Sequence, residues 1–200
     1  MKRNMSDRNI LDDFCQKFCD VLERHCKYIV VSGFVAISSG RTRGTEDIDV
    51  IIERLDKKEF ISLHRALIKA GFVCMQTDDP EEMFEKYLSK KTSIRYTFGD
   101  HPLPEMELMF SKDLLDDTQI KTRVKLELTG LDIWFSNINV NIAFKELYLG
   151  SEKDLEDARH LRIVYRNLVD EQEINRIKDM IRKYRMGKKN DYKNNYLQSK

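Results

Sequence analysis

No stretch of this chain stays apolar for the roughly 20 residues that a membrane-spanning helix requires. The opening residues, MKRNMSDRNI, lead into no apolar signal core, and the expected location is the cytoplasm. Net charge is scarce too. Lys and Arg number 35 against 34 Asp and Glu, leaving +1, so the chain as a whole is not built to hold nucleic acid by bulk charge. Cysteine is limited to Cys15, Cys19, Cys26 and Cys74. These lack the tight CxxC pairs with nearby histidines of a zinc site. In a cytosolic chain they are reduced thiols, and Cys15 and Cys19, four apart on a predicted helix, read as packing residues. Internal repeats and low-complexity linkers are missing. What remains is a globular composition, 41% hydrophobic and 34% charged over 200 residues, enough for one domain with a small helical appendage.

The most informative stretch is Tyr28 to Glu53, YIVVSGFVAISSGRTRGTEDIDVIIE. Tyr28–Val31 is an apolar, β-branched run and predicts a buried strand. Ser32 and Gly33 break it, and Gly33, without a Cβ, lets backbone approach a bound group closely. Phe34–Ser39 predicts one or two helical turns, whose first N–H groups suit an anion. A polar loop with Arg41 and Arg43 follows, then a second buried strand through Ile52. Asp47 and Asp49 sit at its start. Residues two apart on a strand share a face, so the two carboxylates project together while Ile48 points into the core. Side by side they repel, and a cation between them removes the conflict. An all-oxygen pair suits a hard divalent ion such as Mg²⁺ or Mn²⁺.

The order Ser32-Gly33, Gly40, Arg43-Gly44-Thr45, Asp47-Ile48-Asp49 resembles the signature of the minimal nucleotidyltransferase (DNA polymerase β-like) superfamily. That signature is a glycine turn, about a dozen residues, then Asp-x-Asp on a strand. Arg43, Thr45, Asp47 and Asp49 are also similar to the R-x-T-x-D-x-D string of the prokaryotic abortive-infection toxin-type nucleotidyltransferases. The resemblance implies an α/β (α+β) fold, a mixed sheet flanked by helices with a helical C-terminal part. It implies an NTP substrate and Mg²⁺ (or Mn²⁺). Ser32, Gly33, Arg43 and Thr45 would belong to the nucleotide site, and Asp47 and Asp49 would be metal ligands. It also implies a third carboxylate on a later strand. Met106-Glu107-Leu108-Met109-Phe110 looks like the family's string for it, with glutamate replacing the commoner aspartate. Glu107 is then the third catalytic and metal-binding acid, with Glu105 as the fallback; otherwise both are the solvated face of an edge strand. Phe34, directly after the glycine, is a second departure.

Along the rest of the chain, residues 7–25 predict an amphipathic packing helix capped by Ser6 or Asp7. Lys57–Ala70 predicts a helix that Gly71 ends, Phe72–Met75 a strand, and Glu81–Leu88 a short helix opened by Pro80. Ser93–Phe98 predicts a strand, and Gly99–Pro104 a turn with two prolines. Asp113–Thr122 is helical or irregular. Thr122–Leu128 and Leu131–Phe135 predict a hairpin, with Trp134 more a core residue than a base-stacking platform. Helices are expected at Ile138–Leu149, from Ser151 to about Leu168 with Asp154 at its third position, and from Asp170 to about Arg185.

In the toxin-type branch a lysine on one helix is followed by Lys-Asp and a further Asp-Ala on the next. By that resemblance Lys145 and Lys153 meet nucleotide phosphates and Asp157 holds one lysine in place. The bland alternative has Asp154 as a cap and Lys153–Asp157 as an exposed i,i+4 pair. The expected organisation is a nucleotidyltransferase-like core with its N-terminal helix over 1–137, a helical part over 138–186, and a basic disordered tail over 187–200. Over residues 182–200 the alternative to a frayed tail is an RNA contact, with lysines on phosphate and Tyr184, Tyr192 and Tyr196 stacking on bases. The expected activity is Mg²⁺-dependent transfer of a nucleoside monophosphate from an NTP to a hydroxyl of RNA, protein or a small molecule. The alternatives are a catalytically inactive nucleotide- or partner-binding module, and the toxin of a toxin–antitoxin pair with an antitoxin partner.

Overall fold

In the computed structural model, residues 9–198 are described apart from Glu46 and Asp100, with side chains described up to Met186. Two compact units divide the chain after Asn137. The caps expected at Ser6 or Asp7 lie outside the described residues. Among the described residues the first helix, α1 (Ile10–Leu22), is instead closed by Asn9, whose side chain accepts from the Asp12 backbone N–H while Asp12 answers Asn9.

The first unit is built on a seven-stranded mixed sheet among the described residues. Its strands are β1 (Tyr28–Val30), β2 (Asp47–Ile52), β3 (Phe72–Cys74), β4 (Ile94–Phe98), β5 (His101–Phe110), β6 (Val124–Lys125) and β7 (Trp134–Phe135), in the order β3-β4-β5-β2-β1-β7-β6. β2 runs antiparallel to β1 and parallel to β5. Ile48, Val50 and Ile52 of β2 and Met106, Leu108 and Phe110 of β5 share one buried face. α1 and α3 (Lys57–Lys69) cover that side. Phe18 of α1 tilts against Tyr96 of β4 at 5.5 Å, and Phe60 of α3 meets Phe110 edge-on at 6.1 Å. Buried aromatic pairs of this kind each add about 0.5–1.5 kcal/mol beyond their area.

The opposite face is not uniform. At the far end of the strands Ile29 and Ile51 pack with Ile120 of α5 (Leu114–Lys121), and Val31 and Met109 join them. At the near end the same face carries acids, Asp47 and Asp49 on β2 beside Glu105 and Glu107 on β5. β2 therefore reads exposed, buried, half-buried, then buried three times from Asp47 to Ile52.

β5 corrects one expectation. The turn predicted at Gly99–Pro104 is strand from His101 onward. Pro102 and Pro104 come before Glu105, where pairing with β2 begins, so neither removes a ladder hydrogen bond from that partner. The predicted hairpin is also shorter: β6 and β7 pair over two residues each, separated by a tight turn at Glu127–Thr129. Trp134 is half-buried, donates to Glu23 at 3.1 Å, and lies under Arg123 and Lys125.

The second unit is helical: α6 (Ile138–Ala143) running into a π-type turn (Phe144–Leu149), then α7 (Glu152–Val164) and α8 (Glu171–Gln198). The backbone stays helical to Gln198, where a tail was expected from 187. The side chains of Tyr192 and Tyr196 lie outside those described. Asn139 ties the loop between α7 and α8, donating to the Leu168 carbonyl at 3.2 Å and accepting from the Asp170 N–H at 3.0 Å. Among the described residues no helix is long and apolar enough to cross a membrane.

Candidate functional site: a carboxylate face on two parallel strands

The β2–β5 register decides which acids meet. Asp47 lies beside Glu105, and Asp49 beside Glu107. With strand neighbours about 4.8 Å apart and alternate residues about 6.6 Å apart, four carboxylates share a small patch on one sheet face. At those spacings each like-charge pair costs on the order of 1 kcal/mol even in water-like surroundings. A patch of this kind needs cations.

Two protein groups meet it from β4. Arg95, the antiparallel partner of Glu107, points one guanidinium nitrogen at Glu105 (3.3 Å) and another at Glu107 (3.4 Å). Ser93, just before β4, donates its hydroxyl to the other Glu107 oxygen at 2.6 Å. Glu105 and Glu107 side chains keep 16% and 19% of their exposure, and Arg95 keeps 46%. On the β2 side Thr45 donates to the Asp47 carboxylate at 2.9 Å and lies 3.0 Å from the Asp47 carbonyl, which turns the loop into the strand and fixes the first acid.

The Ser32-Gly33 turn leads directly into α2 (Gly33–Ser38), all six residues of which are buried. Ser32 holds φ +64° and ψ −140°, a region that L-residues avoid and that costs about 1–3 kcal/mol. Gly33 is close-packed in a different way. A Cβ there would come within 1.9 Å of Arg43 Nη2, so the tip of the Arg43 side chain lies against the glycine. Arg43 thus folds the loop back onto the turn. α2 is too short for its dipole to count for much, since the macrodipole grows from aligned turns.

The fit of a divalent ion can be judged from the donor set. Every candidate ligand on the face is a carboxylate oxygen, the type that Mg²⁺ prefers. Among the described residues, no three His, Cys, Asp or Glu side chains converge as a ready metal cage. Mg²⁺ does not require one, because it is commonly held by one or two carboxylates plus substrate phosphates and water. Asp47 and Asp49 fit that description, while Glu107 is drawn toward β4.

The C-terminal candidates belong to the second unit. Lys145 sits in the π-type turn with only 1% of its side chain exposed, 2.8 Å from Asp157 (0% exposed) and 3.6 Å from Asp154. Asp154 also completes the capping box with Ser151. Lys153 is exposed on the first turn of α7. Asp157 is therefore buried against Lys145. The cysteines behave as packing residues. Cys15 and Cys19 are fully buried with sulfurs 4.0 Å apart, and burial pushes the Cys15 thiol well up and that of Cys26 up to about 12.

Sequence reasoning did not find Arg95 and Ser93. The usable signal was strand alternation on β4, but it needed the β4–β5 register to become specific.

No protein-family model matches the chain, and no curated protein matches it in sequence. Solved structures do match in fold. The antibiotic-resistance factor ANT(2'')-Ia in solution aligns with a TM-score of 0.56 at 12% identity, over 92% of this chain and 97% of its own. The same factor in complex with adenylyl-2''-tobramycin gives 0.51 at 14% identity, over 88% and 99%. An antigenic nucleotidyltransferase-like protein from Paracoccidioides brasiliensis gives 0.50 at 19% identity, over 88% and 90%. The mixed sheet with its flanking helices is similar in fold to these structures, one of them a nucleotidyltransferase-like protein.

Proposed function

We propose that this chain is a metal-dependent nucleotidyltransferase that moves a nucleoside monophosphate from an NTP to a hydroxyl group. The observation that carries the reading is the β2–β5 register, which sets Asp49 beside Glu107 and Asp47 beside Glu105 on one open face. In the reaction the acceptor oxygen forms a bond to the α-phosphorus. The bond from that phosphorus to the bridging oxygen breaks, and pyrophosphate leaves. Asp47 and Asp49 would hold Mg²⁺ (or Mn²⁺), which would neutralise phosphate charge and ease departure of pyrophosphate. Thr45 keeps Asp47 oriented. The Ser32-Gly33 turn brings backbone close to the phosphates, and Arg43 braces that turn. Glu107 takes the proton of the acceptor hydroxyl or contributes to a second metal. Lys153, exposed on the first turn of α7, is a phosphate-binding candidate on the family resemblance alone, while Lys145, 1% exposed and 2.8 Å from Asp157, is held inside the helical unit.

The acceptor is an RNA, a protein or a small molecule. The neighbour solved with adenylyl-2''-tobramycin supports keeping small molecules in that set. A second reading, a nucleotide-binding module without turnover, is favoured by one observation: both oxygens of Glu107 already have partners, Ser93 and Arg95.

The test is a transfer assay with each α-labelled NTP, Mg²⁺, and total tRNA or cell lysate, beside an Asp47→Ala/Asp49→Ala control. Label in an acceptor with wild type alone supports the enzyme and names the acceptor class. Binding of Mg²⁺–NTP by calorimetry without any label supports the module. Growth arrest on expression, lifted by Asp49→Asn and by a co-expressed antitoxin, would assign the toxin role.

A further inference from the structure

Glu107 is the least typical member of the acid face, one methylene longer than the usual aspartate. Its surroundings give that extra length a use. Across three neighbouring strands, Asp49 of β2, Glu107 of β5 and Arg95 of β4 form one row. Glu107 is flanked by a carboxylate on one side and a guanidinium on the other. Ser93 takes Oε1 at 2.6 Å and Arg95 takes Oε2 at 3.4 Å. The same guanidinium reaches Glu105 at 3.3 Å. Its two Nη groups thus span two carboxylates two residues apart on one strand, which the planar fork of arginine suits and a lysine point charge does not.

Resting on the transferase reading above, we propose that Arg95 and Ser93 are positioning residues. They form a clamp that holds the Glu107 carboxylate toward β4, apart from Asp47 and Asp49, so that the two aspartates bind the metal and Glu107 faces the acceptor. The clamp has two physical consequences. It supplies the cation that lets Glu105 and Glu107 stand on the same face as two aspartates. It also restricts Glu107 to one side-chain arrangement, and small misplacements of a reacting group cost rate steeply. Arg95 acts through Glu107, so its effect must disappear when Glu107 is already disabled.

Four variants test this: Arg95→Ala, Arg95→Lys, Ser93→Ala and Glu107→Gln, with the double variant Arg95→Ala/Glu107→Gln. Single-turnover transfer of α-labelled NTP at saturating nucleotide is read beside Mn²⁺ binding to the nucleotide-loaded protein by electron paramagnetic resonance. Arg95→Ala is expected to slow transfer roughly tenfold to a hundredfold. Arg95→Lys should recover part of that loss, and Ser93→Ala should fall less. Mn²⁺ affinity should stay within about twofold in all of these, in contrast to Asp49→Asn. The double variant should be no slower than Glu107→Gln alone. Losses that multiply, or an Arg95→Ala that weakens Mn²⁺ as much as Asp49→Asn, would overturn the clamp on an enzyme that is otherwise active. A wild-type protein that transfers no label would remove the reaction itself and the clamp's role with it. Arg95 is half-exposed, so thermal melting of its variants is expected to match wild type and separates a rate effect from unfolding.

Discussion

The Lys145–Asp157 pair and the Asp47–Asp49–Glu105–Glu107 face both crowd charge into a few ångströms, but they are resolved in opposite ways. In the helical unit one ammonium is sealed with one carboxylate, neither more than 1% exposed, and a second carboxylate stands 3.6 Å away. The ammonium finds its carboxylates inside the unit. On the sheet, Arg95 reaches two of the four acids, Glu105 and Glu107, and all four carboxylates stand at one end of two parallel strands, none of them as deeply buried as Asp157. Burial makes the first cluster a matter of folding. Crowded acids with access to water make the second a matter of what binds there. Stability and activity should therefore separate cleanly between the two.

The largest expected effect is on activity alone. Asp49→Asn or Asp47→Asn should reduce transfer by roughly a thousandfold or more, the several kcal/mol a metal contributes at 1.36 kcal/mol per decade. Urea unfolding of the same variants should show stability unchanged or slightly raised, by at most about 1 kcal/mol, because a like-charge contact is removed. Either variant unfolding like a core mutant would break the contrast, since the face would then be holding the fold together.

The mirror experiment is Asp157→Ala. Removing Asp157 takes the nearest carboxylate from a buried ammonium and leaves Asp154 at 3.6 Å, which puts the cost at about 3 kcal/mol, the low end for breaking a buried pair. Equilibrium urea unfolding should show that loss. A change of only a few tenths would mean Lys145 reaches water readily and the cluster is as open as the sheet face.

These two expectations were unequally legible in the sequence. Asp47 and Asp49 could be placed on one face from the period of a strand, and the glycine turn before them from Ser32-Gly33. The mixed α/β architecture followed from strands alternating with helices. What could not be read was pairing between segments far apart in the chain. Glu105 and Glu107 are more than fifty residues beyond Asp47, and no local pattern sets the register of β5 on β2. The partnership of Arg95 with both glutamates depends on a second register, β4 on β5. Lys145 shows the same limit on a helix. It lies within Ile142-Ala143-Phe144-Lys145-Glu146-Leu147, where the order of apolar and charged residues does not say that the lysine is fully buried and the glutamate only partly. The prolines of β5 misled for a physical reason: they mark loss of a donor, which matters only where a neighbouring strand would use it.

An intermediate case sharpens the comparison. Glu146 is 21% exposed, takes two bonds from Arg162 (2.8 and 3.2 Å), and is also bonded by Lys178. Burial alone would raise its carboxyl, but the hydrogen bonds from Arg162 and Lys178 outweigh it, and the net direction is down. A depressed carboxylate adds stability that is fully present above its unfolded value of 4.5 and is lost as pH falls through the lower folded value. Glu146→Gln should cost roughly 1–2 kcal/mol at neutral pH. The gap between wild type and variant should close on acidification below pH 4.5. Unfolding curves taken from neutral to strongly acid pH measure it, and a gap that widened with acid would reverse the sign.

The smallest effect belongs to the turn beside the acid face. Ser32 carries φ +64° and ψ −140° without a side-chain capping bond, so its strain is not repaid locally. Glycine adopts that conformation freely, but it loses about 0.5–1 kcal/mol more backbone entropy on folding, against about 1–3 kcal/mol of strain relieved. Ser32→Gly should therefore stabilise the protein by about 1 kcal/mol, read as a shift in urea midpoint. The same variant asks whether the serine hydroxyl matters to nucleotide. If the strain is kept only because Ser32 contributes a hydrogen bond to phosphate, the more stable variant will bind Mg²⁺–NTP more weakly by calorimetry. If binding is unchanged, the turn serves the site through its backbone alone, and the contrast between a face kept for ligands and a cluster kept for folding extends to Gly33 and Arg43.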